Sequence, residues 1–402
     1  MMQLYKALRL THIIAGLATA GHASSTTSTL PKREPCIVPA NGFEAIDDSP
    51  AINSALQTCG DGGTIILPSS STYSIHTPIN FSPCKNCDVQ IEGTLLVAPG
   101  NWKYWEAQPS VLVLSGVTGA RIRSLTGSGL IDGNAVDWYT NRWDSGFLTT
   151  RTLIDITDGS SAISIDNLAI RNPMQRFVRA QRHSRDLSFS RLRLTAEQQW
   201  GRYPRNEVDV AGIELGETTH VSIADSSIEF HARASHAGTV GVCVPLDIGT
   251  HDVHVRNLTC KGAWSGVVVA LNSMGTIAPT AAQLADTVSN VHVSGLVFEG
   301  DTATGFQSYG HNSTMRNITW DGVTVLAGAP ANANLCFLKL HSCTPCPPQC
   351  WRSLAASVTD VWFKRFRGNV GETPGEGYIF GWPLQNMKPE YHFEDWKNTT
   401  AV

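Results

Sequence analysis

Short segments in which apolar and polar residues alternate recur along most of the chain. Residues 162–168 read Ala-Ile-Ser-Ile-Asp-Asn-Leu, and closely similar segments occupy 186–192, 220–226, 252–258 and 290–296. Looser copies lie at 120–125, 316–323 and 358–366. A period of two places alternate side chains on the two faces of a β-strand. Most copies then reach Asn, Asp or Gly, which are turn residues, and a second short strand follows.

The spacing of these copies helps to decide which β-fold contains them. Neighbouring copies begin between 24 residues (162 to 186) and 42 residues (120 to 162) apart, which suits coils with loops of variable length. Such coils can stack in parallel, so that each buries its inward row on its neighbours. A β-sandwich or a propeller is the alternative, but propeller blades repeat more evenly and usually carry an aromatic signature. The pattern therefore favours an all-β fold, a single-stranded right-handed parallel β-helix.

Helical periodicity is sparse and strongest over residues 50–59. Ala51, Ile52, Ala55 and Leu56 form one apolar face there. We expect this short helix to cap the N-terminal end of the stack, where an open strand edge would otherwise invite aggregation.

The first 35 residues have the pattern of an export signal. Lys6 and Arg9 precede an apolar stretch at 10–20, and the small residues at 20–24 offer a cleavage site. We predict a signal peptide at 1–23, a linker or pro-segment at 24–35 and one β-helix domain at 36–402. The protein is therefore expected to be secreted and extracellular, with no membrane attachment.

Cysteine content and charge agree with this interpretation. Ten cysteines behind a signal peptide favour disulfides, although the close groups Cys84/Cys87 and Cys343/Cys346/Cys350 leave zinc binding open. Five Asn-x-Ser/Thr sequons suit a glycoprotein; they begin at Asn80, Asn257, Asn312, Asn317 and Asn398. A net charge of −4 argues against a general nucleic-acid binder. We expect a monomer with no metal and no cofactor.

Several stretches resemble the fungal exopolygalacturonases of glycoside hydrolase family 28. They are residues 51–65, 84–95, 125–134 and 317–325, and the resemblance extends from about Cys36 to Trp382. It implies the β-helix fold, a Cys243–Cys260 disulfide, and hydrolysis of α-1,4-galacturonosyl links with inversion. Inversion requires a general acid and a general base about 6.5–9.5 Å apart, which leaves room for the attacking water.

Four family motifs that carry this chemistry are altered here. The family's Asn-Thr-Asp-Gly falls on residues 209–212, so that Ala211 replaces the motif aspartate. The Asp-Asp pair before Cys243 is replaced by Gly241-Val242. The Gly-x-His-Gly turn falls on 262–266, where the residues read Gly-Ala-Trp-Ser-Gly, and the Arg/Gly-Ile-Lys motif falls on 305–307, which read Gly-Phe-Gln.

Other carboxylates near these positions are candidates for the lost acid and base. Asp209 shares a strand face with Ala211, and Asp247 follows Cys243 by four residues. Glu214 stands where the family also tends to keep an acid. Each could instead be an ordinary solvated or turn-forming carboxylate.

Candidate substrate-binding residues lie in the same part of the chain. Trp264 could stack on a sugar ring or merely fill space, and His251 could replace the lost histidine, as could His231 or His236. Arg202 and Arg205, with three further arginines at 176, 179 and 182, could attract a polyuronate, although a solvated basic loop is the alternative.

Two functions follow from these residues. The first is a pectin-directed hydrolase of the exopolygalacturonase type, acting on pectic polysaccharide or oligogalacturonide with Asp209 and Asp247 as the catalytic pair. The second is a catalytically inactive relative that binds pectic oligosaccharides or has a structural role.

Overall fold

The computed structural model describes residues 34–136, 152–198, 210–232, 241–271, 287–308, 314–326, 336–340, 357–368, 379–380 and 390–398. Two helices are present in this part of the chain, α1 (Ser49–Cys59) and α2 (Trp102–Glu106). Its strands are, in chain order, β1 (Cys36–Ile37), β2 (Thr64–Leu67), β3 (Thr72–Ile75), β4 (Ile79–Asn80), β5 (Asp88–Ile91), β6 (Thr94–Val97), β7 (Ser110–Ser115), β8 (Arg121–Arg123), β9 (Leu130–Asp132), β10 (Thr152–Thr157), β11 (Ser161–Asp166), β12 (Ala169–Arg171), β13 (Arg176–Ala180), β14 (Arg185–Ser190), β15 (Arg193–Gln198), β16 (Ala211–Leu215), β17 (Thr219–Ala232), β18 (Val242–Leu246), β19 (His251–Leu271), β20 (Thr287–Ser308), β21 (Thr314–Asp321), β22 (Thr324–Val325), β23 (Cys336–Leu340), β24 (Ser357–Lys364), β25 (Arg367–Gly368), β26 (Ile379–Phe380), β27 (Tyr391–Glu394) and β28 (Lys397–Asn398).

Parallel pairing sorts the strands into three stacked sheets. Sheet 1 contains β1, β2, β5, β8, β11, β14, β21, β24, β27 and the first parts of β17, β19 and β20. Sheet 2 contains β3, β6, β9, β12, β15, β22, β25, β28 and later parts of β17, β19 and β20. Sheet 3 contains β4, β7, β10, β13, β16, β18, β23, β26 and the last parts of β19 and β20. The chain visits the sheets in this order coil after coil, which confirms the predicted right-handed parallel β-helix.

The inward rows of the three sheets form one continuous core. The inward row of sheet 1 is aliphatic in the early coils and becomes aromatic later, where Trp320, Phe363 and Phe393 stack face to face. Their ring centroids lie 5.0 and 5.1 Å apart. Stacked rings of this kind bury a large apolar area with few rotatable bonds, and so contribute strongly to the stability of each coil.

Turn residues at the corner between sheets 1 and 2 repeat in successive coils. Positive φ angles occur there at Asn167, Arg191, Asp225, Asn257, Gly295, Gly322, Arg365 and Asp395. Asn, Asp and Gly tolerate this left-handed conformation best, which confirms the turn signals expected from the sequence. A side-chain amide also links neighbouring coils, because Asn257 Nδ2 donates to Asp225 Oδ1 at 2.8 Å.

Helix α1 begins one residue before the predicted helix and ends where it was expected. Ile52, Leu56 and Cys59 are buried on the face that packs against the first coil, and the Cys36–Cys59 disulfide joins β1 to the helix end. Two further disulfides, Cys84–Cys87 and Cys243–Cys260, favour the disulfide interpretation for these cysteines. The other four cysteines lie outside the part of the chain whose side chains are described.

The predicted boundary between signal peptide, linker and domain stays a prediction, because residues 1–33 lie outside the described ranges. Within those ranges, no helix combines the length and apolar character that a membrane crossing requires. In the same part of the chain, His, Cys, Asp and Glu side chains form no group of three or more that could hold a metal ion.

Candidate functional site

Sheet 3 contains the altered motif positions. Ala211 begins β16, and Val242 pairs with it at the start of β18 in the next coil. Val242 pairs with Ser265 of β19, and Val268 of β19 pairs with Gly305 of β20. The four motifs therefore lie on consecutive coils of one sheet.

Charged side chains occupy the outer face of sheet 3 on the preceding coils. Ile154 and Ile156 point into the core, so alternation places Asp155 on the outer face, and the same holds for Arg179 in β13 and Glu214 in β16. Asp155 pairs in register with Arg179, which pairs with Glu214. The three residues thus form one row that crosses three coils.

Asp155 and Arg179 form a bidentate ion pair in a buried environment. Arg179 Nε donates to Asp155 Oδ1 at 2.9 Å, and Arg179 Nη2 donates to Asp155 Oδ2 at 3.0 Å. The Arg179 side chain is 8% exposed and the Asp155 side chain is 4% exposed. Both carboxylate oxygens are engaged, so Asp155 is poorly placed to exchange a proton with a substrate.

Glu214 is bound through one oxygen. Its Oε2 accepts a hydrogen bond from Nε of Arg176, whose side chain is 1% exposed, and Arg176 Nη1 donates to Gln175 Oε1 at 3.0 Å. Among the described residues, Glu214 Oε1 has no hydrogen-bond partner. Glu214 is therefore the carboxylate of this row with an oxygen available for a ligand.

Asp247 follows β18 directly and is half-buried. Its backbone N–H donates to Leu215 O at 2.7 Å, and its Oδ1 accepts from Ile248 N–H at 2.7 Å. Glu214 and Asp247 lie on neighbouring coils and differ by two residues in register, because Leu215 pairs with Leu246. Strand spacing and rise then give roughly 8 Å between their Cα atoms.

The remaining predicted site residues are distributed differently. Asp209, Arg202 and Arg205 lie outside the described residues, as does His236. Trp264 lies in β19 where it passes from sheet 2 to sheet 3, but its side chain is outside the described part of the structure. His251 begins the sheet 1 part of β19, and its Nδ1 lies 2.9 Å from Ser289 Oγ.

His231 lies near the end of the sheet 2 part of β17, beside Glu229. Arg182, at the exposed exit of β13, pairs with Asp158 at 3.3 Å. Hydrogen bonds from Ser115 and then Arg182 outweigh desolvation and lower the pKa of Asp158. The structure therefore places Glu214 and Asp247 on or beside sheet 3, and His251 on sheet 1.

Sequence reasoning missed Asp155. Its signal was available, because a lone carboxylate interrupts the apolar segment 153–156. A charge in such a strand is rare unless it is paired.

Two glycines explain how the coils approach each other at the motif positions. A Cβ at Gly212 would lie 2.3 Å from the carbonyl oxygen of Cys243. Gly241 has a φ of 87°, and a Cβ there would lie 2.5 Å from Val210 O and 2.8 Å from the Phe230 ring. An aspartate in place of Gly241 would therefore need a different local backbone.

Comparison with known proteins identifies relatives over most of the chain. The sequence model of glycosyl hydrolases family 28 matches residues 63–307. A probable endo-xylogalacturonan hydrolase A of Neosartorya fischeri is 33% identical over 299 residues, which cover 73% of this chain and 68% of the relative. Endo-xylogalacturonan hydrolase A of Aspergillus tubingensis is 31% identical over 336 residues, covering 81% and 76%.

Solved structures agree with these relatives. The crystal structure of endo-xylogalacturonan hydrolase from Aspergillus tubingensis matches with a TM-score of 0.71 at 25% identity, covering 91% of this chain and 93% of that chain. A polygalacturonase from Erwinia carotovora matches with a TM-score of 0.58 at 15% identity, covering 94% and 96%, and supports the fold.

Proposed function

Because the chain belongs to family 28 of the glycosyl hydrolases, we propose that it is an extracellular hydrolase of the galacturonan chains of pectin. The observation that carries the proposal is Glu214, a carboxylate on the outer face of sheet 3 with an oxygen that no described residue occupies. Disulfides within the described residues agree with an oxidising, extracellular location.

Glu214 and Asp247 are the catalytic pair that the geometry supports best. Their Cα atoms lie roughly 8 Å apart on neighbouring coils, which allows the two carboxyl groups to reach the separation of about 6.5–9.5 Å that an inverting mechanism requires. Glu214, fixed by Arg176, would act as the base that activates water, and Asp247 would protonate the leaving oxygen. Asp209 stays a prediction as an alternative acid, because it lies outside the described residues.

Substituted galacturonan is the substrate to test first. The two curated relatives described above are named for endo action on xylogalacturonan. The exopolygalacturonase type inferred from the sequence stays a prediction, and product size decides between the two modes. Endo cleavage yields a ladder of oligomers, whereas exo cleavage yields monomer from the start.

Reducing-sugar release by the purified full chain tests this proposal. Xylogalacturonan, polygalacturonate, oligogalacturonides and rhamnogalacturonan are the substrates, with heat-killed protein as the blank. Glu214→Gln is expected to lower the rate by about 10²-fold or more, whereas Asp225→Asn, at the corner between sheets 1 and 2, is the control and should leave it unchanged. Equal rates for Glu214→Gln and wild type would exclude Glu214 as the base.

We propose an inactive pectin-binding protein as the second candidate function. The observation that favours it is Gly241, whose surroundings leave no space for the first of the two carboxylates of the family's Asp-Asp pair. Under this proposal the protein binds oligogalacturonides with a measurable Kd and releases no reducing sugar from any of the four substrates. Turnover on any of them would exclude it.

A further inference from the structure

Residues 305–307 lack the basic residue of the Arg/Gly-Ile-Lys motif, to which the resemblance assigns binding of the sugar acid. An enzyme or binder of polyuronates needs cationic groups, because each sugar carries a carboxylate. The row that includes Gly305 also contains Arg179, four coils earlier. Arg179 pairs with Glu214, and β16 continues in register into β18. Pro245 of β18 pairs with Val268, which pairs with Gly305. A guanidinium is therefore present in the same row of the same face.

The geometry points to Arg179 as a binding site for a uronate carboxylate, with Asp155 as the residue that positions it. This inference rests on the proposed pectin-directed function. A guanidinium has two edges that can each hold a carboxylate, one formed by Nε and Nη2 and the other by Nη1 and Nη2. Asp155 occupies the first edge through Nε and Nη2 at 2.9 and 3.0 Å.

The second edge of Arg179 is the edge that would bind the ligand. Among the described residues, no hydrogen-bond acceptor contacts Arg179 Nη1. Asp155 fixes the plane of the guanidinium, so little side-chain entropy is lost when a second carboxylate binds. Gln181 Nε2, at 3.5 Å from Asp155 Oδ1, supports the orientation of Asp155.

Burial makes this arrangement selective. The Arg179 side chain is 8% exposed, so water competes weakly for its N–H groups. A methyl ester on the sugar removes the charge and one acceptor position, and would leave the guanidinium edge poorly satisfied. We therefore expect preference for the free acid over the methyl-esterified sugar.

Calorimetric titration of the full chain with two probes tests the inference. The probes are de-esterified oligogalacturonide and its methyl-esterified counterpart of the same length. Wild type should bind the free acid at least about tenfold more tightly than the ester. Arg179→Lys, which keeps the charge but loses the fork, should lower this ratio by about threefold or more.

Arg171→Lys is the control, because Arg171 forms an ion pair with Asp132 on sheet 2 at 2.7 Å through Nε alone, with its side chain 51% exposed. It should keep the wild-type ratio. A wild-type ratio in Arg179→Lys would overturn the assignment and leave the pectin-directed function standing. If Arg179→Lys does not fold, the wild-type ratio alone decides, since equal affinity for the two probes overturns the site. Failure of wild type to bind either probe would overturn the proposed pectin-directed function as well.

Discussion

The outer faces of sheet 1 and sheet 3 carry ion pairs between the same residue types in opposite environments. At the edge of sheet 1, Arg256 is paired at 3.0 Å with Asp225 of the adjoining turn, and their side chains are 60% and 43% exposed. On sheet 3, Arg179 and Asp155 are paired at 2.9 Å with exposures of 8% and 4%. Exposed pairs contribute little because water and salt screen them, whereas a buried charge is tolerated only with its partner in place. The N···O distance is nearly the same in both pairs, so burial and not this distance distinguishes a surface ion pair from one in a candidate site.

The largest expected effect is the loss of a buried partner on sheet 3. Asp155→Ala leaves the Arg179 guanidinium buried without a counter-charge, and should lower the free energy of unfolding by about 3–5 kcal/mol. Urea denaturation followed by circular dichroism measures this change. A shift below about 1 kcal/mol would mean that the sheet 3 pair behaves like a surface pair.

Disulfides give the second comparison between regions. Cys243 in β18 of sheet 3 is joined to Cys260 over a sequence separation of 17, whereas Cys84 and Cys87, at the entry to sheet 1, are separated by 3. Loop-closure entropy predicts that replacing both cysteines by alanine costs about 3 kcal/mol for the first pair and about 2 kcal/mol for the second. Denaturation midpoints of the two double variants test the order, and a reversed order would contradict this account.

Acid should weaken sheet 1 through Asp88. Burial alone would raise its pKa, but hydrogen bonds from Arg123 and Gln90 and the charge of Arg123 outweigh burial, so the pKa of Asp88 lies below its ordinary value. Its stabilising contribution is therefore complete above about pH 4 and is lost as the pH falls through the folded-state pKa. The stability difference between wild type and Asp88→Asn should shrink between pH 5 and 2, by urea titration at each pH. A difference that is constant over this range would contradict the prediction.

The smallest effect is expected for the exposed pair at the edge of sheet 1. Arg256→Gln should change the free energy of unfolding by less than about 1 kcal/mol, and added salt should reduce that change further. Urea denaturation at low and high salt checks both parts. A loss comparable with that of Asp155→Ala would remove the distinction between the two faces.

Local pattern predicted the fold well because a β-helix is built from local strands. Alternating segments located the sheet 1 strands, and the apolar face of 50–59 located α1 to within one residue. The site was harder, because its contacts join residues such as Arg176 and Glu214, which are 38 positions apart on different coils. Their register depends on the lengths of intervening loops, which alternation does not encode. Glu214 was found by resemblance, whereas its guanidinium partner was seen only as one member of a basic cluster.

The connections between strands have a consequence for how this chain can change. The connection from sheet 1 to sheet 2 is as short as two residues between Asp166 and Ala169. The connections to and from sheet 3 include longer ones: residues 133–151 lead into it at β10, and residues 272–286 lead from it to sheet 1 at β20. Insertions and deletions are therefore tolerated chiefly around one of the three faces. A lineage can alter the length of these connections, and with them the ligand it accepts, while the coils that carry them are inherited intact.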